Sequence, residues 1–225
     1  MTRPNARADR ILDAAGELMI KLGHRKVTIE DVARRAEVGK GTVYLHWPNK
    51  EQLFEALVLR ESLQLVAELT AALRADPQVI RPHRFYRMVF LATRRSPLLH
   101  ALVTDDTELL GNIKRSARAT ETAHVAEAYQ RLLLDHDLLR DDVPHAFAAL
   151  TATTTGFFLA DQINPEYAGL DDEAKADALA DTIRRAFEPD VDPDHEELTA
   201  AVNRLAELYD DLTARFREWI YPPHR

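Results

Sequence analysis

Lys40, Gly41, Thr42, Tyr44, Leu45 and His46 fall within seven consecutive residues, KGTVYLH. On a helix turning about 100° per residue, Val43 and Trp47 share one side, and Gly39 lies within about 40° of it. Gly41 and Leu45 then point the opposite way, with Thr42 and Tyr44 flanking them. An outward face made of a glycine, a leucine and a tyrosine carries unusually little charge. Glycine inside a helix costs about 1 kcal/mol, so a close approach by something else would account for it. A DNA major groove supplies such an approach. A base edge or phosphate fits over glycine, a leucine meets a thymine methyl, and threonine and tyrosine hydroxyls bond phosphates. The bland alternative is a tight helical hairpin whose exposed leucine has no role.

The neighbouring residues set that helix in a frame. Thr28 with Asp31 three positions on forms an acidic variant of the capping box, so a helix opens there. Ile29, Val32, Ala33 and Ala36 give it one apolar face. Val38-Gly39 interrupts the pattern, and the short helix runs from about Lys40 to Trp47. Pro48 pushes Trp47 out of the α region, and Asn49 is placed to cap a further helix with Gln52 at the reciprocal position. Upstream, a first helix spans about 6–22, ending at Gly23. Start, turn, stop and second cap are in register, which favours the nucleic-acid face over the hairpin.

Charge divides the same way. Residues 1–50 hold ten Lys/Arg against six Asp/Glu, net +4, whereas the whole chain is −8, leaving −12 on residues 51–225. A basic head on an acidic remainder is the footprint of a chain that touches nucleic acid at one end. Arg3, Arg7 and Arg10 fit either minor-groove and phosphate contacts or a solvated terminus.

The run GKGTVYLHWPNKEQLF, with ILDAAGELMIKLGHRKVTIEDVARRAEV before it, resembles the TetR/AcrR family of bacterial one-component transcriptional regulators over roughly residues 8–56. The resemblance implies an all-α fold. Residues 1–50 would form a three-helix helix-turn-helix DNA-binding domain and residues 51–225 a helical effector-binding and dimerisation domain. It also implies that Lys40, Gly41, Thr42, Tyr44, Leu45 and His46 face DNA, with Thr28 and Lys50 at helix N-termini that contact phosphate. The implied partners are a palindromic double-stranded operator, a second copy of the chain and a small-molecule effector; repressor action is implied by family habit, and no cofactor is. The sequence departs from the family pattern at Gly39, often serine or a larger polar residue, and at Trp47, usually phenylalanine.

Strand signals are almost absent, and the chain reads as about ten helices. The fourth extends from Asn49 to about Arg74; others span Pro82–Arg94, Pro97–Val103, 107–137 with a kink at Gly111, Pro144–Ile163 and Asp171–Phe187. A last one, near 194–220, carries Leu198, Val202, Leu205, Tyr209, Leu212, Phe216 and Trp219 at alternating steps of four and three, a heptad seam about three heptads long. It exceeds the shorter family members and is expected to dock on its own body or on a partner subunit. The small residues of 145–162, with a matching stripe of Ala176, Leu179, Ala180, Ile183, Ala186 and Phe187, look like the family's dimer-forming pair. Candidate effector-lining residues are Phe85, Met88, Val89, Phe90, Leu102, Tyr129, Phe157 and Phe158, with Thr154 and His124 as polar anchors; each also fits plain core.

Zero cysteines exclude disulfides and thiolate metal sites and suit a cytoplasmic home. Met1–Pro4 leads straight into an amphipathic helix rather than a secretory signal, and no apolar run reaches the roughly 18 residues that span a bilayer. A helical ligand carrier or interaction module without DNA binding is the alternative. A di-iron bundle enzyme is weaker still. Glu121-x-x-His124 has the i, i+3 spacing of such sites, but Asp142-x-x-His145 reads better as a helix cap. There is no His-Glu-x-x-His, glycine-rich phosphate loop or Gly-x-Ser-x-Gly.

Overall fold

Twelve α-helices make up the computed structural model, which describes residues 5–104, 106–110, 119–191 and 193–222, and no strand occurs among these. In chain order they are α1 (Ala6–Leu22), α2 (Ile29–Arg35), α3 (Lys40–His46), α4 (Lys50–Ala75), α5 (Pro82–Arg95), α6 (Pro97–Thr104), α7 (Thr107–Leu110), α8 (Ala119–Asp135), α9 (Ala146–Leu159), α10 (Pro165–Ala168), α11 (Asp172–Phe187) and α12 (His195–Ile220). The all-α class and the boundaries of the longer helices agree with the periodicity of the sequence. The expected helix over 107–137 is represented by α7 and α8; Gly111 and its kink lie outside the described residues. Two short helical turns carried no periodic signal: α10, and a 3-10 turn over Pro77–Ile80 capped by the Asp76 side chain.

The chain divides into two compact units. One contains the described residues up to Gln64, from Pro97 to Leu110 and from Thr213 to Pro222. The other contains Leu65–Ser96 and Thr120–Leu212. This grouping differs from a single cut at residue 50. The first half of α4, α6, α7 and the end of α12 all gather with α1–α3, because burial of apolar surface is indifferent to sequence distance.

In the first unit, Ile11, Leu12, Ala15 and Met19 of α1, Val32 and Ala33 of α2, Val43 of α3, and Leu53, Phe54 and Leu57 of α4 are buried. Gly16 of α1 faces Leu57 of α4, and a Cβ there would meet that side chain at 3.4 Å, an ordinary contact. Gly23 ends α1 at φ 75°, and a Cβ there would lie 3.1 Å from the Glu108 carbonyl oxygen, so this glycine is required twice over.

In the second unit, the apolar stripe of α11 is turned inward. Ala176, Leu179, Ala180, Ile183 and Phe187 are buried, and α11 lies along α5 and against α9. The stripe is covered by the chain's own α5, and only Ala186 of the set is exposed. The start of α5 is closed from a distance. Its N-cap, Arg81, makes no side-chain cap bond, and the buried Glu188 carboxylate instead accepts from the His83 backbone N–H at 2.6 Å and contacts the His83 ring at 2.8 Å. His145, expected as part of a helix cap, stands before α9 at φ 53° without a side-chain cap bond, and Asp142 pairs with Arg140 instead.

Lys175 is a buried cation of this unit, 3% exposed, with its ammonium 2.7 Å from Asp161 and 5.1 Å from the Tyr167 ring centre. Arg94 also reaches Asp161 at 2.7 Å and Asp172 at 2.8 Å. Burial opposes ionisation of Asp161, but the Lys175 ammonium and the Arg94 guanidinium outweigh it and hold its carboxyl below the ordinary range. Asp161→Asn would leave a desolvated ammonium without its anion and is expected to cost about 1–3 kcal/mol. Because the folded-state pKa is lowered, the contribution is complete above about pH 4 and is lost as pH falls further, through the lowered value. Urea unfolding followed by circular dichroism at pH 7 and pH 3 checks this: the gap between wild type and variant should shrink in acid.

Candidate nucleic-acid interface

The head's geometry follows from how α2 starts and stops. Thr28 accepts from the Asp31 backbone N–H at 3.2 Å while Asp31 accepts from the Thr28 backbone N–H at 3.2 Å, completing the capping box. The Thr28 hydroxyl donates to the same carboxylate at 2.6 Å, and these bonds hold the Asp31 carboxyl below its usual range.

The turn that follows is made by Glu37, just before the Val38-Gly39 break in the apolar pattern. Glu37 adopts φ 55°, the Val38 N–H bonds back to the Ala33 carbonyl at 2.9 Å and the Glu37 N–H to Arg34 at 3.3 Å. This is a Schellman ending, which needs one residue in the left-handed region at that position whatever its identity. Gly39 instead has an extended backbone, φ −71° and ψ 147°, and serves as N-cap of α3 without a side chain to cap with. It is exposed.

Val43 is fully buried and Trp47, the C-cap of α3, is 2% exposed. The opposite side is open: Leu45 is 65% exposed, Tyr44 43%, and a Cβ built on Gly41 would meet nothing within 4 Å. Thr42 is half-buried beside them. Lys40 is exposed at the first turn and reaches back to α2, where its ammonium contacts the Glu30 carboxylate; it also lies 5.8 Å from the Tyr44 ring centre. That hydrogen bond raises the Lys40 pKa and lowers that of Glu30. Sequence spacing gave no sign of Glu30, because the pair joins two helices. Lys50 opens α4 behind the Asn49 cap, which accepts from the Gln52 N–H at 2.8 Å, and its ammonium lies 5.9 Å from the Phe54 ring centre.

His46 departs from the set. It is only 9% exposed, and its ring lies 5.2 Å from that of Trp47. Three positions after Val43, it falls on the inward side of α3, so the outward role implied for it is withdrawn.

Two aromatic pairs join effector candidates within the second unit. Phe85 stacks on Tyr129 at 4.1 Å, whose hydroxyl donates to the Ile80 carbonyl at 3.0 Å, and Phe90 stacks on Phe158 at 4.8 Å. Burial pushes the Tyr129 phenol well above its usual value and that of Tyr86, beside it, up to about 12. Met88 and Val89 are half-buried on α5. Phe157 is turned toward Tyr167, 5.8 Å away edge-on. Thr154 is buried, with its hydroxyl donating to carbonyls of its own helix, Thr151 at 2.9 Å and Leu150 at 3.1 Å. Leu102 belongs to the first unit, and the His124 side chain lies outside the described residues.

A three-helix head whose short third helix turns a glycine, a tyrosine and a leucine outward defines a helix-turn-helix protein. Residues 11–57 match the model for bacterial regulatory proteins of the tetR family. A stretch of 53 residues is 42% identical to the uncharacterized HTH-type transcriptional regulator YvkB of Bacillus subtilis (strain 168), covering 24% of this chain and 28% of that protein. Over 204 residues the chain is 29% identical to a protein described as a probable acrEF/envCD operon repressor of Escherichia coli (strain K12), covering 83% of this chain and 86% of the other. Among solved structures, NalD, the secondary repressor of the MexAB-OprM multidrug efflux pump in Pseudomonas aeruginosa, shares the fold with a TM-score of 0.56 at 24% identity, over 82% of this chain and 97% of that one. The similarity to bacterial regulatory proteins of the tetR family is thus carried by the head, residues 11–57. No helix among the described residues is long and apolar enough to cross a membrane.

The open space at Gly41 separates stability from binding. Gly41→Ala adds helix propensity and meets no neighbour, so it should raise stability by up to about 1 kcal/mol. If a duplex approaches this face, the same methyl group should weaken DNA binding. Thermal unfolding and fluorescence anisotropy on one preparation check that the two effects have opposite consequences for the protein.

Proposed function

We propose that the chain represses transcription by binding a palindromic operator as a homodimer and that a small apolar or aromatic effector releases it. The observation that carries this is the outward face of α3. Gly41, Thr42, Tyr44 and Leu45 lie open on a helix locked from behind by Val43 and Trp47, in a head of net charge +4. Leu45 would meet a thymine methyl, Tyr44 and Thr42 phosphates, and Lys40 would exchange Glu30 for a phosphate. Thr28 and Lys50 would anchor the flanking backbone.

One short helix makes few base contacts, and two heads spaced by about 34–36 Å would read successive turns of one DNA face. The exposed side of α9 supports self-association: Ala148, Thr151, Ala152 and Gly156 are small, uncharged and open. Ala178 and Thr182 on the exposed side of α11 could continue that surface, without the stripe already buried against α5. Repression is supported by the name of the E. coli relative, and the cytoplasm is where such a protein would meet DNA. The effector would insert among the aromatic pairs of α5, α8 and α9, and favour a head arrangement that fits the operator less well by its differential affinity for the two states.

Selection of bound duplexes from genomic fragments tests the DNA reading directly. A palindrome should be recovered, and Tyr44→Phe with Lys50→Ala should lose it. Lys50→Ala alone should weaken all duplexes alike and flatten the slope of log affinity against log salt by about one unit. An unaltered slope would remove Lys50 from the phosphate contacts. A screen for compounds that dissociate the selected complex tests the effector, and sedimentation velocity tests the dimer.

A further inference from the structure

The C-terminal end of α12 belongs to the same compact unit as the head. Phe216 and Ile220 are fully buried there. The Trp47 indole N–H donates to the Ile220 carbonyl at 3.2 Å in a buried hydrogen bond. Ile220 is the last residue of α12, where the final carbonyls have no partner within their own helix, and a buried indole N–H needs an acceptor. Each group therefore answers the other's deficit. One residue on, the Tyr221 hydroxyl donates to the Asp9 carboxylate of α1 at 2.6 Å, and burial, then that carboxylate, push its phenol up to about 12. Arg60 of α4 donates to the Asp9 carbonyl at 3.3 Å and pairs with Asp13 at 2.8 Å. Two consecutive residues at the end of α12 thus bond to the C-cap of α3 and to α1, and α1 is tied in turn to α4.

We propose that Ile220 and Tyr221 form a positioning clamp that sets the roll of α3 through Trp47; this rests on the DNA-binding reading of α3. Trp47 ends α3, and its side chain is the lever by which the helix is held from behind. A roll of about 20° at a side-chain radius of about 5–6 Å moves the tip of Leu45 or Tyr44 by about 2 Å. Base-edge contacts do not survive such a displacement, whereas contacts to a continuous phosphate backbone adjust to it. The clamp therefore governs discrimination between sequences more than affinity for DNA in general.

The test uses the full chain with Trp47→Phe and Tyr221→Phe, singly and together. Tyr221→Phe keeps the ring and removes only the hydroxyl, whereas Trp47→Phe removes the indole N–H with part of the ring, so the Tyr221 variant separates a lost hydrogen bond from lost packing. In the free protein, hydrogen exchange of the Val43–Trp47 amides should quicken at least tenfold in the double variant, with the circular dichroism spectrum unchanged. On DNA, affinity for the selected palindrome should fall tenfold or more, while affinity for a scrambled duplex and the salt slope stay as they were. Unchanged exchange across α3, or equal loss on both duplexes, overturns the clamp. Should the double variant fail to fold, Tyr221→Phe alone carries both measurements with the same criteria. A wild-type chain that discriminates no duplex overturns the DNA reading and the clamp's purpose with it. The exchange measurement then still decides whether the end of α12 restrains α3.

Discussion

Burial of Val43 and Trp47 is the constraint from which the head's chemistry follows. A helix has one inside, and once these two residues occupy it, Gly41 and Leu45 are carried to the far side by the pitch alone. His46 shows the same rule from the other direction: at three positions from Val43 it goes in with Trp47 and is removed from the surface. Trp47 does more than fill space. Its N–H is satisfied by the end of a helix 173 residues further along the chain, so the core contact has a direction as well as an area.

The charges of the head are paired lightly. Lys40 with Glu30, Arg34 with Asp31 and Arg35 with Glu17 are all substantially exposed pairs. Such pairs contribute little to stability and are screened by salt, so a phosphate can replace the carboxylate at small cost. Lys175 in the second unit is the opposite case. Enclosed with Asp161, it cannot change partners without leaving an uncompensated charge, and it serves to fix the meeting of α5, α11 and the turn after α9. The two kinds of ion pair suit their places, one beside an outward face and the other within a scaffold.

In that scaffold the apolar residues divide between filling and remaining open. The stripe of α11 closes on α5, and the aromatic side chains of α5 pair with Tyr129 of α8 and Phe158 of α9. What stays uncovered on α9 is a run of alanine, threonine and glycine rather than large apolar groups. Small uncharged side chains tolerate water and leave the helix backbone open to close approach.

Local chemistry made much of this legible in advance. The Thr28–Asp31 capping box, the Asn49 cap, the stop at Pro48 and the 3.6-residue periodicity each depend on residues within a turn or two of one another, so sequence alone determined the helices and the outward face of α3. The same locality showed a break at Val38-Gly39 but not which residue makes the turn. Glycine is the commonest left-handed residue, but the register of the α2 ending put Glu37 there and left Gly39 to an ordinary extended conformation. The tertiary structure alone decided that Lys40 is held by Glu30, that the α11 stripe faces α5, that Phe85 stacks on Tyr129 and Phe90 on Phe158, and that α12 ends on Trp47. Each of these joins elements whose separation along the chain carries no periodic trace, and only the packing of the whole molecule selects among the partners that periodicity permits.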